Sequence, residues 1–158
     1  MTHEYPYLPD GKTIEYVPAS DPFMAEAERA RNELSTEKNQ PTGAVVVLYG
    51  KIIGVDANQA ALKNQKLQAL HKNGWCVRRI LKIPSGQKYW LCPGCAKSKH
   101  HAEARAVRDA LKKQGRIQGA DLYLYGHWWC CKPCWDSMIG AGIRDVYLIE
   151  GADELFKR

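Results

Sequence analysis

Two short motifs constrain the fold of this chain more than any other feature of its sequence. The first, His101-Ala102-Glu103, begins a stretch with apolar residues at helical spacing. The second, Cys131-Lys132-Pro133-Cys134, begins another such stretch shortly after a strand-like segment. One imidazole and two thiolates are good ligands for a tetrahedral zinc ion. If His101, Cys131 and Cys134 share one ion, the fold must bring the N-termini of two helices together.

The three ligands leave the fourth position of a tetrahedral zinc ion open for water, which is typical of catalytic zinc. The positive ends of two helix dipoles stabilise thiolates at this position, and zinc lowers the pKa of a bound water to about 7. Glu103 lies two residues after His101, so it reaches that water without binding the metal. We therefore predict Glu103 as the general acid and base of a hydrolytic reaction.

Each motif alone is weak evidence, because His-x-Glu is common on helix surfaces and Cys-x-x-Cys also occurs in structural sites and by chance. Their combination is much rarer and favours catalytic zinc. The non-enzymatic alternative is a nucleic-acid-binding zinc ribbon that uses Cys92, Cys95, Cys131 and Cys134. About 35 residues separate these two pairs, against roughly 15–20 in such sites.

Apolar periodicity predicts the remaining elements within a single domain, which 158 residues support. We expect helices over residues 21–35, 101–115 and 131–139, and strands over residues 43–48, 51–56, 122–125 and 145–149. The first two strands form a hairpin across Tyr49-Gly50. This order predicts a mixed sheet with helices on both faces. Residues 1–19 are expected to form an extended segment along the surface, and residues 20–158 the domain itself.

Residues 57–100 have no clear period and are predicted to form a long insertion into the domain. Its segment 61–100 holds nine basic residues and no acidic one, while the rest of the chain has 14 basic and 17 acidic residues. Attraction of phosphate groups, from a nucleotide or a nucleic acid, and a solvated basic face both fit this pattern. The basic residues are Lys63, Lys66, Lys72, Arg78, Arg79, Lys82, Lys88, Lys97 and Lys99.

The compartment is expected to be the cytoplasm. The longest apolar run, residues 44–49, is too short to cross a bilayer, so we predict no membrane contact. The first residues lack the basic and apolar stretches of a secretory signal. In a reducing compartment the six cysteines stay free, and pairs spaced Cys-x-x-Cys indicate metal binding.

With these motifs the sequence resembles the cytidine and deoxycytidylate (dCMP) deaminase superfamily over about residues 21–150. Residues 41–47 are similar to its first strand, and residues 139–146 to the helix end and strand that follow its cysteine motif. Residues 76–92, with Ile83-Pro84-Ser85-Gly86, resemble the insertion of dCMP deaminases. The resemblance implies an α/β fold, a three-layer α/β/α sandwich with a mixed sheet of four to five strands, the fifth following Gly151.

The resemblance implies zinc-dependent hydrolytic deamination of a free pyrimidine nucleotide, dCMP to dUMP with release of ammonia, by a homo-oligomer. Deamination of a base within RNA, such as tRNA, is the second enzymatic interpretation, which the basic insertion also fits. The resemblance places Asn58 on the substrate sugar, and Ala44 and the backbone of Ala102 in the base pocket. For the phosphate, Arg78 and Arg79 are the candidates, because guanidinium groups make bidentate phosphate contacts.

A second zinc is the sharper interpretation of the remaining thiols. Cys76, Cys92 and Cys95 with one histidine would form a structural site that holds the insertion together, and some dCMP deaminases are similar in carrying a second zinc. We name His100 as the fourth ligand, with His71 as the alternative. Reduced cysteines around a Cys-Pro-Gly-Cys turn are the simpler interpretation.

Cys130 departs from the family pattern, because it stands where the cysteine motif has proline and adds a third thiol near the metal. Only Cys131 and Cys134 have the required spacing, so they remain the predicted ligands. Arg105 also departs from the pattern, since it stands where dCMP deaminases usually have asparagine.

Overall fold

The computed structural model describes residues 4–157. Two short 3-10 turns, Tyr89–Leu91 and Ser98–His100, precede the helix that begins at Ala102. The five strands are β1 (Ile14–Val17), β2 (Gly43–Leu48), β3 (Lys51–Ala57), β4 (Asp121–Tyr125) and β5 (Val146–Ile149). The helices are α1 (Pro22–Leu34), α2 (Gln65–Lys72), α3 (Val77–Ile80), α4 (Ala102–Gln114), α5 (Lys132–Ala141) and α6 (Ala152–Phe156). Every helix and strand predicted from periodicity is present, with its ends shifted by no more than two residues.

The strands form one mixed sheet in the order β1-β5-β4-β2-β3. β1, β5 and β4 run parallel, and β2 is antiparallel to both of its neighbours. Gly43 of β2 lies against α1, while Gly54 of β3, the partner of Val46, lies against α4. Residues 43 and 46 of one strand point to opposite faces, so α1 and α4 cover the sheet from both sides. The three-layer α/β/α sandwich with a mixed sheet is confirmed.

The fifth strand does not follow Gly151, where the resemblance places it. Residues 152–156 form α6, and the fifth strand is β1, inside the N-terminal segment that the sequence predicts as a surface extension. β1 pairs in parallel with β5, from Ile14 against Val146 to Val17 against Ile149. Local periodicity misses it because only one of its four residues, Ile14, is buried. Residues 1–3 of the predicted N-terminal segment lie outside the described residues.

Gly43 allows α1 to approach the sheet closely. A Cβ atom there would clash with the carbonyl oxygen of Ala27 and the amide nitrogen of Arg31, which are backbone atoms of α1. We expect Gly43→Ala to lower the free energy of unfolding by about 3 kcal/mol, because backbone cannot move aside as a side chain does. Gly140→Ala is the matched control: it lies within α5 with open space around it, and should raise stability by about 0.5–1 kcal/mol. Urea unfolding of both variants measures these changes in the free energy of unfolding. Equal urea midpoints for the two variants would contradict the close approach of α1 to Gly43.

None of the helices in residues 4–157 combines the length and the apolar character needed to cross a membrane.

Candidate catalytic metal centre

His101, Cys131 and Cys134 converge where α4 and α5 begin. His101 directly precedes α4, Cys131 directly precedes α5, and Cys134 lies in the first turn of α5. The Nδ1 atom of His101 is 3.4 Å from Cys134 Sγ and 3.7 Å from Cys131 Sγ. The two helices therefore bring together the three residues that the sequence analysis names as ligands.

The spacing and chemistry of this donor set fit zinc. Tetrahedral zinc with bonds of about 2.0–2.3 Å holds neighbouring N and S ligand atoms roughly 3.5–3.8 Å apart, which matches the observed distances. His101 Nε2 faces the carbonyl oxygen of Ala96 at 3.3 Å, so a proton on Nε2 leaves the lone pair of Nδ1 directed at the thiols. A hydrogen bond with Cys134 and the neighbouring His101 lower the pKa of Cys131 to about 5, and a thiolate is the form that binds metal.

Glu103 lies beside this centre in the first turn of α4, where only 6 % of its surface is exposed. Burial raises the pKa of its carboxyl group. Cys130 is fully buried near this carboxyl group, and burial raises the pKa of its thiol well above the usual value. The ligand atoms of His101, Cys131 and Cys134 form one group that does not include Cys130, so we assign Cys130 to the surroundings of Glu103 rather than to the metal.

A cavity of about 220 Å³ opens next to Glu103, and His101 and Ala102 form part of its wall. Asn58 also lines it, but the amide of Asn58 already accepts hydrogen bonds from Thr42 N at 2.9 Å and Ser35 Oγ at 2.6 Å. Ala44 does not line this cavity. It is fully buried inside β2, and Thr42, just before the strand, reaches the cavity instead.

His127 is a cavity residue to which the sequence assigns no role. Its Nδ1 atom accepts hydrogen bonds from the backbone N–H groups of Trp128 and Trp129 at 2.9 and 3.3 Å. Burial lowers the pKa of His127 to about 4, so the ring is neutral and its proton lies on Nε2. His127 thus offers the cavity a fixed hydrogen-bond donor. No pattern in the sequence separates this role from simple packing.

The two candidate phosphate ligands have different surroundings, although both line the cavity. Arg78 donates to the carbonyl oxygens of Gln87 at 2.7 Å and Pro84 at 3.0 Å and to Cys95 Sγ at 3.4 Å. Its guanidinium carbon also lies 4.4 Å from the ring centre of Tyr89. Arg79 is exposed, and its Nη1 donates a hydrogen bond to the carbonyl oxygen of Lys72 at 3.2 Å. Arg78 therefore holds the insertion together, and Arg79 keeps donors for a ligand.

A second group of metal-type ligands lies in the insertion and contains His71 with Cys76, Cys92 and Cys95. Their ligand atoms lie within 4.8 Å of one another, with Cys95 Sγ 3.5 Å from both Cys76 Sγ and His71 Nε2. These distances also suit tetrahedral zinc. Cys92 and Cys95 are thus separate from Cys131 and Cys134, which contradicts the zinc-ribbon alternative. We call the four residues the insertion cluster.

His100 is not a member of the insertion cluster, so the structure corrects its assignment as the fourth ligand. His100 ends the turn that leads into His101, and its carbonyl oxygen accepts a hydrogen bond from Gln59 N at 3.0 Å. His71, at the end of α2, packs its ring directly on Gly94 of the Cys-Pro-Gly-Cys turn. Glycine allows this contact because it has no side chain, and the sequence offers no signal for it.

Comparison with known proteins adds a family relationship. Residues 19–150 match the profile of the family described as "Cytidine and deoxycytidylate deaminase zinc-binding region". No curated protein sequence matches the chain significantly.

Several solved structures resemble the chain. One is the dCMP deaminase of cyanophage S-TIM5, with 20 % identity over 85 % of this chain and 86 % of that chain, and a TM-score of 0.47. A second is the diaminohydroxyphosphoribosylaminopyrimidine deaminase/5-amino-6-(5-phosphoribosylamino)uracil reductase of Thermotoga maritima, with 24 % identity over 80 % and 28 % of the two chains and a TM-score of 0.47. A third comes from work on tRNA:A34 deaminases, with 25 % identity over 81 % and 72 % and a TM-score of 0.42.

Proposed function

Since this chain belongs to the cytidine and deoxycytidylate deaminase family, with its zinc-binding region over residues 19–150, we propose that it converts dCMP to dUMP and ammonia. The observation that carries the proposal is the meeting of one imidazole and two thiols beside a buried carboxyl group at the wall of a cavity. We assign the reaction to residues 20–158 as one domain. Six free cysteines suit a cytoplasmic location, and the family resemblance supports a homo-oligomer.

In the proposed reaction, His101, Cys131 and Cys134 would hold zinc, which supplies Lewis-acid chemistry and makes water nucleophilic near neutral pH. Glu103 accepts a proton from the water that attacks C4 of the cytosine ring and delivers it to N3. It then transfers the second water proton to the amino group, the C4–N bond breaks, and ammonia leaves. Burial raises the pKa of Glu103, which favours a group that must both accept and donate protons at neutral pH.

The cavity wall supports a pyrimidine as the substrate. The Nε2–H group of His127 is a fixed donor, and the O2 carbonyl of cytosine is an acceptor. The ring of Trp129 packs closely on Gly86 of the insertion and closes the same wall. Together they favour a flat ring with a carbonyl group over a purely apolar ligand.

Arg79 supports a nucleotide over a nucleoside, because it is the cavity cation with donors left for a phosphate.

The proposal is tested by assaying dCMP, CMP, deoxycytidine and tRNA side by side. We expect dCMP to have the highest kcat/KM. Arg79→Ala should raise KM for dCMP about tenfold or more, the usual effect of losing a charged hydrogen bond, and leave deoxycytidine unchanged. Activity on tRNA alone would overturn the nucleotide proposal and favour the RNA alternative.

We also propose that the insertion cluster binds a second, structural zinc. Among residues 61–100, only Cys76, Cys92 and Gly94 are buried. A segment with so little apolar burial needs another source of stability, and a structural metal supplies one in small domains.

A further inference from the structure

Trp75 and Trp90, both in the insertion, expose their side chains to an unusual degree. They are 73 % and 70 % exposed, although tryptophan is among the most buried residue types on average. Trp75 directly precedes Cys76, and Trp90 lies two residues before Cys92. Because both cysteines belong to the insertion cluster, the cluster holds the two tryptophans on the same part of the molecule.

The segment that carries these tryptophans has charges of one sign. Eight of the nine basic residues in segment 61–100 are exposed, and the segment has no acidic residue. Exposed aromatic rings that stack on unpaired bases, surrounded by cations that attract phosphates, are the shared features of single-stranded nucleic-acid binding. We infer that Trp75, Trp90 and the seven exposed lysines of this segment form a surface, which we call the tryptophan platform, that binds single-stranded nucleic acid outside the catalytic cavity.

Two other partners fit the platform less well. A symmetric dimer pairs a patch with its own copy, and seven like charges would then face seven more. A membrane surface would bury apolar side chains, and the insertion does expose Leu67, Leu70, Val77, Ile80 and Leu81. The seven exposed lysines of the same segment favour instead a partner that is charged along its whole length. A single-stranded nucleic acid would contact both features, because its bases stack on the tryptophan rings and its phosphates are attracted by the lysines.

The test measures binding of the full-length zinc-loaded protein to a fluorescein-labelled 20-residue oligothymidylate by fluorescence anisotropy. Thymine has no amino group to lose, so this probe separates platform binding from deamination. We expect a Kd below about 100 µM at low salt, with log affinity falling linearly against log salt. Trp75→Ala and Trp90→Ala should each weaken binding at least about fivefold, and Lys72→Ala and Lys97→Ala should each reduce the salt slope by about 0.7.

The controls are matched residues outside the insertion. Tyr49→Ala removes an aromatic ring that is even more exposed, and Lys51→Ala and Lys112→Ala remove exposed charges; all three should bind like the parent protein. Absence of oligothymidylate binding at low salt would overturn the inference, as would equal affinity of both tryptophan variants and the parent. Binding confined to vesicles with anionic lipid, or a change only in oligomeric state by sedimentation when the tryptophans are replaced, would also overturn it.

Turnover of dCMP by the two tryptophan variants keeps this inference separate from the proposed function. Neither tryptophan lines the cavity, so we expect both variants to deaminate like the parent. Loss of oligothymidylate binding with normal turnover supports the platform. A protein that binds the probe through the platform but deaminates nothing would support it too, and would overturn only the proposed reaction.

Discussion

Replacing Glu103 by glutamine is expected to lower kcat for dCMP by about 10²–10⁴-fold, the usual contribution of a general acid–base group. Glutamine keeps the size and hydrogen-bonding capacity of the side chain but cannot carry protons between water, N3 and the amino group. The three metal ligands remain, so zinc content should not change. Steady-state kinetics and atomic absorption on the same preparation measure the two effects.

Glu150→Gln is the matched control, because Glu150 is exposed just after β5 and lies outside the cavity lining. It should have parental kcat. Undiminished turnover by Glu103→Gln would remove Glu103 from the mechanism. Loss of zinc in that variant would show that the carboxylate helps to hold the metal, contrary to the assigned ligand set.

The second large effect is expected from His71→Ala, which should reduce the zinc content from two ions per chain to one. Without the fourth ligand, the three thiols of the insertion cluster cannot complete the tetrahedral coordination of zinc. Segment 61–100 buries only three residues, so it has little other stabilisation. We expect faster tryptic cleavage within segment 61–100, and kcat/KM for dCMP lower by at least about tenfold, since Arg79 sits on this segment.

His100→Ala distinguishes the two candidate histidines. His100 stands outside the insertion cluster, so this variant should keep two zinc ions per chain and resist trypsin like the parent. Cys95→Ser provides a second removal and should behave like His71→Ala. One zinc in the parent protein would refute the second site, and loss of an ion only in His100→Ala would restore His100 as the ligand.

The sequence predicts best the features that depend on local spacing. His101, Cys131 and Cys134 could be named as candidate ligands because each motif is short and begins a periodic helix. Long-range pairings carry no such signal: β1 joins β5 across more than a hundred residues of chain, and His71 reaches Cys95 through a contact that depends on Gly94.

Cavity residues are harder still to predict from sequence, because their role depends on where the side chain points and what it contacts, and residue type does not determine either. Arg78 and Arg79 are identical and adjacent, but only the structure shows that the guanidinium of Arg78 is already bound to Gln87, Pro84 and Cys95. The donor on His127 likewise depends on two backbone N–H groups that fix its tautomer.

The near absence of buried side chains in segment 61–100 has a consequence for how the protein matures. The sheet and its covering helices contain the apolar core, so they can fold before any ion arrives. Segment 61–100, which contributes Arg79 to the cavity wall, gains little from burial. If the insertion cluster binds the proposed structural zinc, this segment would become ordered only when the ion binds. A newly synthesised chain in zinc-poor conditions would then have a folded core and an incomplete cavity, and the supply of zinc would set when the cavity is complete.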